Sequence, residues 1–288
     1  MIIIKENALV LEGDRFLYKG ELFNGVVLAL NNGVVDSRKL CNEGYICADY
    51  IPAYIGVNDA DLVFDSIALD DEYEEPCTRD GALYSGLIYK FDGDICISER
   101  EYRDGWLVTE VNYRLDGTLE CVDVGNDDIS QKCSWFEDGS VEEFESFNRD
   151  IYRFWIKFSE KNVVNTLVIE GNYFSEVEQI REQLVFDAFI NIDSFVSFSG
   201  SNYLFISGSG VNDEVFYNIL AKDGLKQTKK LSVSNSAISS VALSNLLSLE
   251  NIDELIFEST SVEAESLRAF KKNRPNCYVE FNGEVILS

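Results

Sequence analysis

Four Asp-Gly pairs, Asp80-Gly81, Asp92-Gly93, Asp104-Gly105 and Asp116-Gly117, recur every 12 residues, and a fifth, Asp138-Gly139, follows 22 further on. Glycine accepts a positive φ without steric cost, and aspartate tolerates it better than most residues, so each pair suits a tight hairpin turn. The run between turns is about ten residues long, enough for one strand and its connection. Aromatic residues precede several pairs, as in Tyr89-Lys90-Phe91-Asp92-Gly93 and Tyr113-Arg114-Leu115-Asp116-Gly117. Regular turn signals of this kind predict an antiparallel β meander built by repetition. Tyr18-Lys19-Gly20-Glu21-Leu22-Phe23-Asn24-Gly25 echoes Tyr84-Ser85-Gly86-Leu87-Ile88 and the turn after it, which starts the repeats near residue 8. Residues 36–79 interrupt the pattern with Pro52, Pro76 and the acidic run Asp70-Asp71-Glu72-Tyr73-Glu74-Glu75, and read as an insertion.

Composition narrows the chemistry. The net charge is −27, and 34 of the 51 acidic residues fall in residues 1–160 against 14 of the 24 basic ones. Such an excess repels nucleic acid and anionic membranes and attracts basic partners; read blandly, it is a solvated surface. Histidine is absent, which removes Ser-His-Asp and Cys-His catalysis and histidine metal sites. The seven cysteines contain no CxxC and read as reduced core residues of a cytosolic protein. Met1-Ile2-Ile3-Ile4-Lys5-Glu6 is too short and too soon charged for a signal peptide, and no apolar run is long enough to span a membrane.

The alternating Tyr-x-x-Asp-Gly and Tyr-x-Asp-Gly pattern, with Tyr89 to Tyr113 as a 24-residue double unit, resembles MORN-type repeats, closest to the variant in YwqK-like antitoxins. The resemblance covers roughly residues 15–35 and 80–145 and implies a β-hairpin sheet used as a protein-binding scaffold. It carries over no catalytic residue.

The second half has another period. Leu167-Val168-Ile169-Glu170-Gly171, Leu204-Phe205-Ile206-Ser207-Gly208, Leu231-Ser232-Val233-Ser234-Asn235 and Leu255-Ile256-Phe257-Glu258-Ser259 share one form, each followed by a helical pattern. A strand with two inward apolar residues, a turn and a helix is the logic of leucine-rich repeats, and residues 161–288 resemble a short, irregular array of them. Asn235 fits the inward amide of such repeats; an ordinary α/β domain is the alternative. The expected fold class is therefore α+β: a MORN-like β domain over residues 1–160 with an acidic insertion at 36–79, then a leucine-rich-repeat-like α/β array over residues 161–288.

Two function classes follow. The first is a cytoplasmic immunity protein or antitoxin that binds a basic protein toxin such as a nuclease, without cofactor, metal, nucleic acid or membrane. Its leading contact patch is Asp70, Asp71, Glu72, Tyr73, Glu74 and Glu75, where the acids steer and the tyrosine supplies contact area. The second is a carboxylate- and aromatic-based glycan-binding module or glycoside hydrolase, for which Asp127-Asp128 and Glu142-Glu143 are candidate pairs. Calcium at the Asp-Gly turns is a further option, although no EF-hand-like ligand series occurs. Oligomeric state is not legible.

Overall fold

Strand reversals fall on the glycines that the spacing marks. In the computed structural model, which describes residues 1–52, 55, 76–125, 129–148, 151–161, 163–171, 199–220, 227–247 and 249–287, Gly81, Gly93, Gly105, Gly117 and Gly139 all have positive φ, between 59° and 85°. Asp80 and Asp104 are also left-handed, at 52° and 51°, as type I′ turns require at both central positions. Asp116 acts differently: its Oδ1 accepts from the backbone N–H and hydroxyl of Thr118 at 2.8 and 2.6 Å.

The chain divides into two compact units, Met1–Gly139 and Ser140–Ser288. In the first, β1 (Ile2–Lys5) is followed by the small sheet β2 (Val10–Glu12), β3 (Arg15–Tyr18) and β4 (Glu21–Leu22). The meander β5 (Gly25–Asn31), β6 (Val34–Asn42) and β7 (Tyr45–Asp49) comes next. After the short pair β8 (Thr78–Arg79) and β9 (Ala82–Leu83), a longer meander runs through β10 (Gly86–Asp92), β11 (Ile95–Arg103), β12 (Trp106–Tyr113), β13 (Leu119–Gly125) and β14 (Ile129–Trp135). Residues 36–49, read from sequence as the start of an insertion, thus lie in β6 and β7, paired to β5.

β1 pairs parallel with β5 and touches β11 at Ile4↔Ile95. Because alternate residues of a strand face opposite sides, Ile3, Val26 and Leu28 enter one core with Leu87, Tyr89 and Cys96, whereas Ile4 and Val27 enter another with Phe23 and Cys41.

β5–β7 and β10–β12 are two copies of one module, offset by 61 residues. The strand register slips after Ala29 and after Lys90, and again after Leu40 and after Glu101, at equivalent places. In the first copy Phe16 N donates to Gly44 O at 2.8 Å, Phe23 N to Phe16 O at 3.0 Å and Gly44 N to Phe23 O at 2.9 Å. In the second, Cys77 N donates to Gly105 O at 2.7 Å, Tyr84 N to Cys77 O at 3.0 Å and Gly105 N to Tyr84 O at 2.8 Å. The echo noted in the sequence is therefore a duplication in another register: Tyr84 corresponds to Phe23, not to Tyr18.

In the second unit β15 (Val141–Asn148), β16 (Ile151–Glu160) and β17 (Val163–Ile169) continue antiparallel. Residues 160–161, where the change of period puts a domain boundary, lie at the β16–β17 hairpin, with Glu160 ending β16 and pairing with Val163. From β17 the pairing becomes parallel through β18 (Ser199–Ser207), β19 (Lys230–Ser234), β20 (Glu254–Glu258) and β21 (Tyr278–Phe281), and β22 (Glu284–Val285) folds back on β21. Leu204, Leu231, Leu255 and Val279 stack in register as a buried row. At the end of each strand a left-handed residue turns the corner: Gly208, Asn235, Ser259 and Asn282. Asn235 is exposed, so it serves the coil by its backbone and not as the inward amide expected of it. Gly208 is required for a second reason, since a Cβ there would lie 2.0 Å from the Ile169 carbonyl oxygen.

The expected α+β class is corrected. Among the described residues 56% are in strands and 11% are helical, and the fold is a β-solenoid instead of a leucine-rich-repeat-like α/β array. The helices described between the parallel strands are short: α1 (Asp213–Leu220), α2 (Ala242–Leu246) and α3 (Ala264–Asn273) have eight, five and ten residues. Helices of this length are marginal alone. They persist by burying Phe216, Leu243, Leu246, Leu267 and Phe270, while strand stacking forms the continuous framework.

Candidate functional site

A buried polar centre lies in the first unit. β11 carries Glu99 into the core, where it is 1% exposed. Tyr89 of β10 lies opposite it in the ladder, and Val111 of β12 lies opposite on the other side. Two phenols converge on one carboxylate oxygen, with Tyr113 Oη donating to Glu99 Oε2 at 2.6 Å and Tyr50 Oη at 3.3 Å. Among the described residues Glu99 Oε1, Tyr89 Oη and Arg38 Nη1 are buried without a well-formed hydrogen bond, although Tyr89 is close enough to interact with both Glu99 and Arg38.

Burial raises the Glu99 pKa, partly offset by Tyr113, Tyr50 and Tyr89 and then by the charge of Arg38. The same burial, with the Glu99 charge second, pushes both tyrosines far above the usual phenol range, so both stay neutral donors. A carboxylate sealed in this way cannot touch a substrate, which a general base or nucleophile must do. Its chemistry is to anchor the tyrosines. Both line an open cleft of ≈ 440 Å³, with Ile51, Leu119 and Trp135 among the other walls. That volume is within the range of small-ligand sites.

The residues singled out in the sequence are distributed otherwise. Asp70, Asp71, Glu72, Tyr73, Glu74 and Glu75 lie outside the described residues, as do Asp127 and Asp128. Glu142 and Glu143 are neighbours on β15, and neighbours on a strand face opposite sides, so they do not converge as a glycosidase pair. Glu143 Oε1 instead accepts from Trp155 Nε1 at 2.7 Å and from Lys157 Nζ at 3.5 Å. Among the described residues no group of three or more Cys, Asp or Glu is placed to hold a metal. None of the seven cysteines is in a disulfide; burial raises the Cys121 thiol to about 11 and the Cys96 thiol well above its ordinary value, which suppresses thiolate nucleophiles.

Tyr89 and Tyr113 mark the 24-residue double unit in the sequence, and the structure brings both to Glu99. Glu99 itself went unnoticed. The available signal was the polar run Ser98-Glu99-Arg100-Glu101 inside a strand between two others. Such a run must either face solvent or find buried partners.

No family model and no curated protein matches the chain. Among solved structures it is similar to a chain of the glycosylation-associated protein Gap123 complex of Streptococcus agalactiae, with 12% identity and a TM-score of 0.20 over 68% of this chain and 51% of that one. It is also similar to a chain of the accessory secretory protein 1, 2 and 3 structure of Streptococcus pneumoniae, with 13% identity and a TM-score of 0.18 over 80% of this chain and 45% of that one. A third similarity is to the GtfA/B complex bound to UDP and GlcNAc, with 12% identity and a TM-score of 0.18 over 90% and 71% of the two chains. The chain spans about half the length of the first two. At TM-scores of 0.20 or less these similarities establish no shared fold.

Proposed function

We propose that the chain is a non-catalytic protein-binding protein, an immunity protein or antitoxin that neutralises a basic protein toxin by direct binding in the cytoplasm. The observation that carries this reading is the excess of 51 acidic over 24 basic residues on a scaffold of regular hairpins. Acidity of this size steers a cationic partner and raises its association rate, and a preorganised surface lowers the ordering cost of binding. The sealing of Glu99 behind two tyrosines supports a structural over a catalytic use of the most buried acid. The MORN-type resemblance points the same way. The acidic run at residues 70–75 remains a proposed part of the contact.

The test is binding kinetics against the product of the neighbouring gene at two salt concentrations. A steered complex shows an association rate that falls steeply with salt. A complex whose association ignores salt, or no complex with any basic protein, removes the reading. The aromatic cleft favours a second one, stacking of a glycan on Tyr113 and Trp135, which an oligosaccharide array read against Trp135→Leu tests.

A further inference from the structure

The duplicated module presents the same exposed apolar positions twice. Leu22, Tyr45 and Ile46 in the first copy correspond to Leu83, Trp106 and Leu107 in the second, and all six are exposed. The leucine lies against the turn glycine in both: a Cβ on Gly44 would be 3.2 Å from Leu22 Cδ2, and one on Gly105 would be 2.9 Å from Leu83 Cδ2. The copies differ in what covers the aromatic ring. In the first, the guanidinium of Arg15 lies 4.9 Å from the centre of the Tyr45 ring, and its Nε donates to Tyr45 Oη at 2.6 Å. In the second, the position of Arg15 is taken by Pro76, and the ring is Trp106, 48% exposed. Arg103 lies opposite Trp106 in the ladder, but its guanidinium is held by Glu101 at 2.8 and 2.9 Å. Among the described residues no cation stands over Trp106.

We infer that Trp106, with Leu83 beside its turn, is a docking point for an arginine side chain of a basic partner, the contact that Arg15 makes within the chain at Tyr45. The inference rests on the proposed basic partner and names a surface for it. The chemistry is favourable at each step. Tryptophan offers the best ring face for a cation. Leu83, which lies against Gly105 next to the ring, helps to exclude water from the stacked guanidinium, and arginine is more weakly hydrated than lysine, so it is the cheaper cation to strip. Asp80 and Asp104 are exposed in the same copy and add attraction. Charge also selects among occupants: a second copy of this chain would bring −27 against −27, whereas a cationic protein is drawn in.

The experiment titrates the full chain with a hexa-arginine peptide and a matched hexalysine peptide, at low and at high salt, by calorimetry. The parent is expected to bind hexa-arginine more tightly than hexalysine. Trp106→Leu, which keeps the apolar bulk and removes the ring, is expected to weaken hexa-arginine about fivefold and to erase the arginine preference. Pro76→Arg, which restores the residue of the first copy, is expected to cover Trp106 from within, shift the indole fluorescence and weaken the peptide as well. If the parent binds but Trp106→Leu binds equally, the docking point is overturned while the acidic, basic-partner reading stands. If the parent binds neither peptide at low salt, both fall.

Discussion

Residues 15–49 and 76–110 trace the same backbone, with the same register slips and the same triangle of turn hydrogen bonds. Yet the first copy has Leu28 and Arg38 where the second has Tyr89 and Glu99, and Arg15 where the second has Pro76. Backbone geometry is thus held by a few positions, chiefly the turn glycines and the strand residues that alternate into the core. The exposed apolar positions and one cross-strand ion pair, Lys39–Asp49 and Arg100–Glu110, are also kept, while most other side chains differ. The divergence is also coordinated. Arg38 and Glu99 occupy equivalent places and come close enough for the charge of Arg38 to act on Glu99, so the polar centre exists because the copies differ.

The largest expected effect tests the shared geometry. A Cβ at Gly44 would meet Phe16 O at 3.0 Å and Arg15 Cβ at 3.1 Å; at Gly105 it would meet Cys77 O at 3.1 Å and Pro76 Cβ at 2.8 Å. Both glycines have positive φ, 82° and 85°. Gly44→Ala and Gly105→Ala should each cost about 2–4 kcal/mol, from left-handed strain and crowding together. Urea denaturation measures this. A tolerated change in one copy and a severe one in the other would break the equivalence.

Next in size is a change confined to the second copy's polar centre. Tyr113→Phe removes the 2.6 Å donation to Glu99 and should cost about 2 kcal/mol, the loss of a hydrogen bond to a charged group. A stability equal to the parent's would mean that this bond adds nothing. Gly93→Ala should cost about 1 kcal/mol, since its φ of 59° is strained for alanine but nothing lies within 4 Å of the added Cβ. The contrast with Gly105 separates conformational strain from crowding.

The smallest signal is a slope. Glu99 has a raised pKa in the folded chain, so the folded state keeps its proton to higher pH than the unfolded state does. Its contribution to stability is fully present below the unfolded value of about 4.3 and is lost as pH rises through the folded pKa. Glu99→Gln removes that loss, so its melting temperature should gain on the parent's as pH rises from acid to neutral. Parallel melting curves for variant and parent would place the titration elsewhere.

The turns were legible without any structure. Glycine is the residue that enters the left-handed region freely, so a glycine after aspartate every 12 residues could mean little else, and Gly93, Gly105 and Gly117 all turn there. The apolar rows of the second unit were legible too, because Leu204, Leu231 and Leu255 repeat one local pattern and stack in register. The class was not. A strand followed by an amphipathic run reads as strand and helix, but whether that run extends or shortens to the five residues of α2 depends on the space its neighbours leave. Nor was the register of the duplication. In sequence the two tyrosine-glycine segments align at Tyr18 and Tyr84, whereas backbone pairing aligns Phe23 with Tyr84. Glu99 shows the limit most plainly. Its sequence neighbours say only that a polar residue sits in a strand; its partners Tyr50, Tyr113 and Arg38 come from 49, 14 and 61 residues away. Local sequence determines where the chain turns and which face it buries, because those are properties of single residues and their spacing. Which buried acid is sealed, and which exposed ring carries no cation among the described residues, is decided only when distant strands are laid side by side.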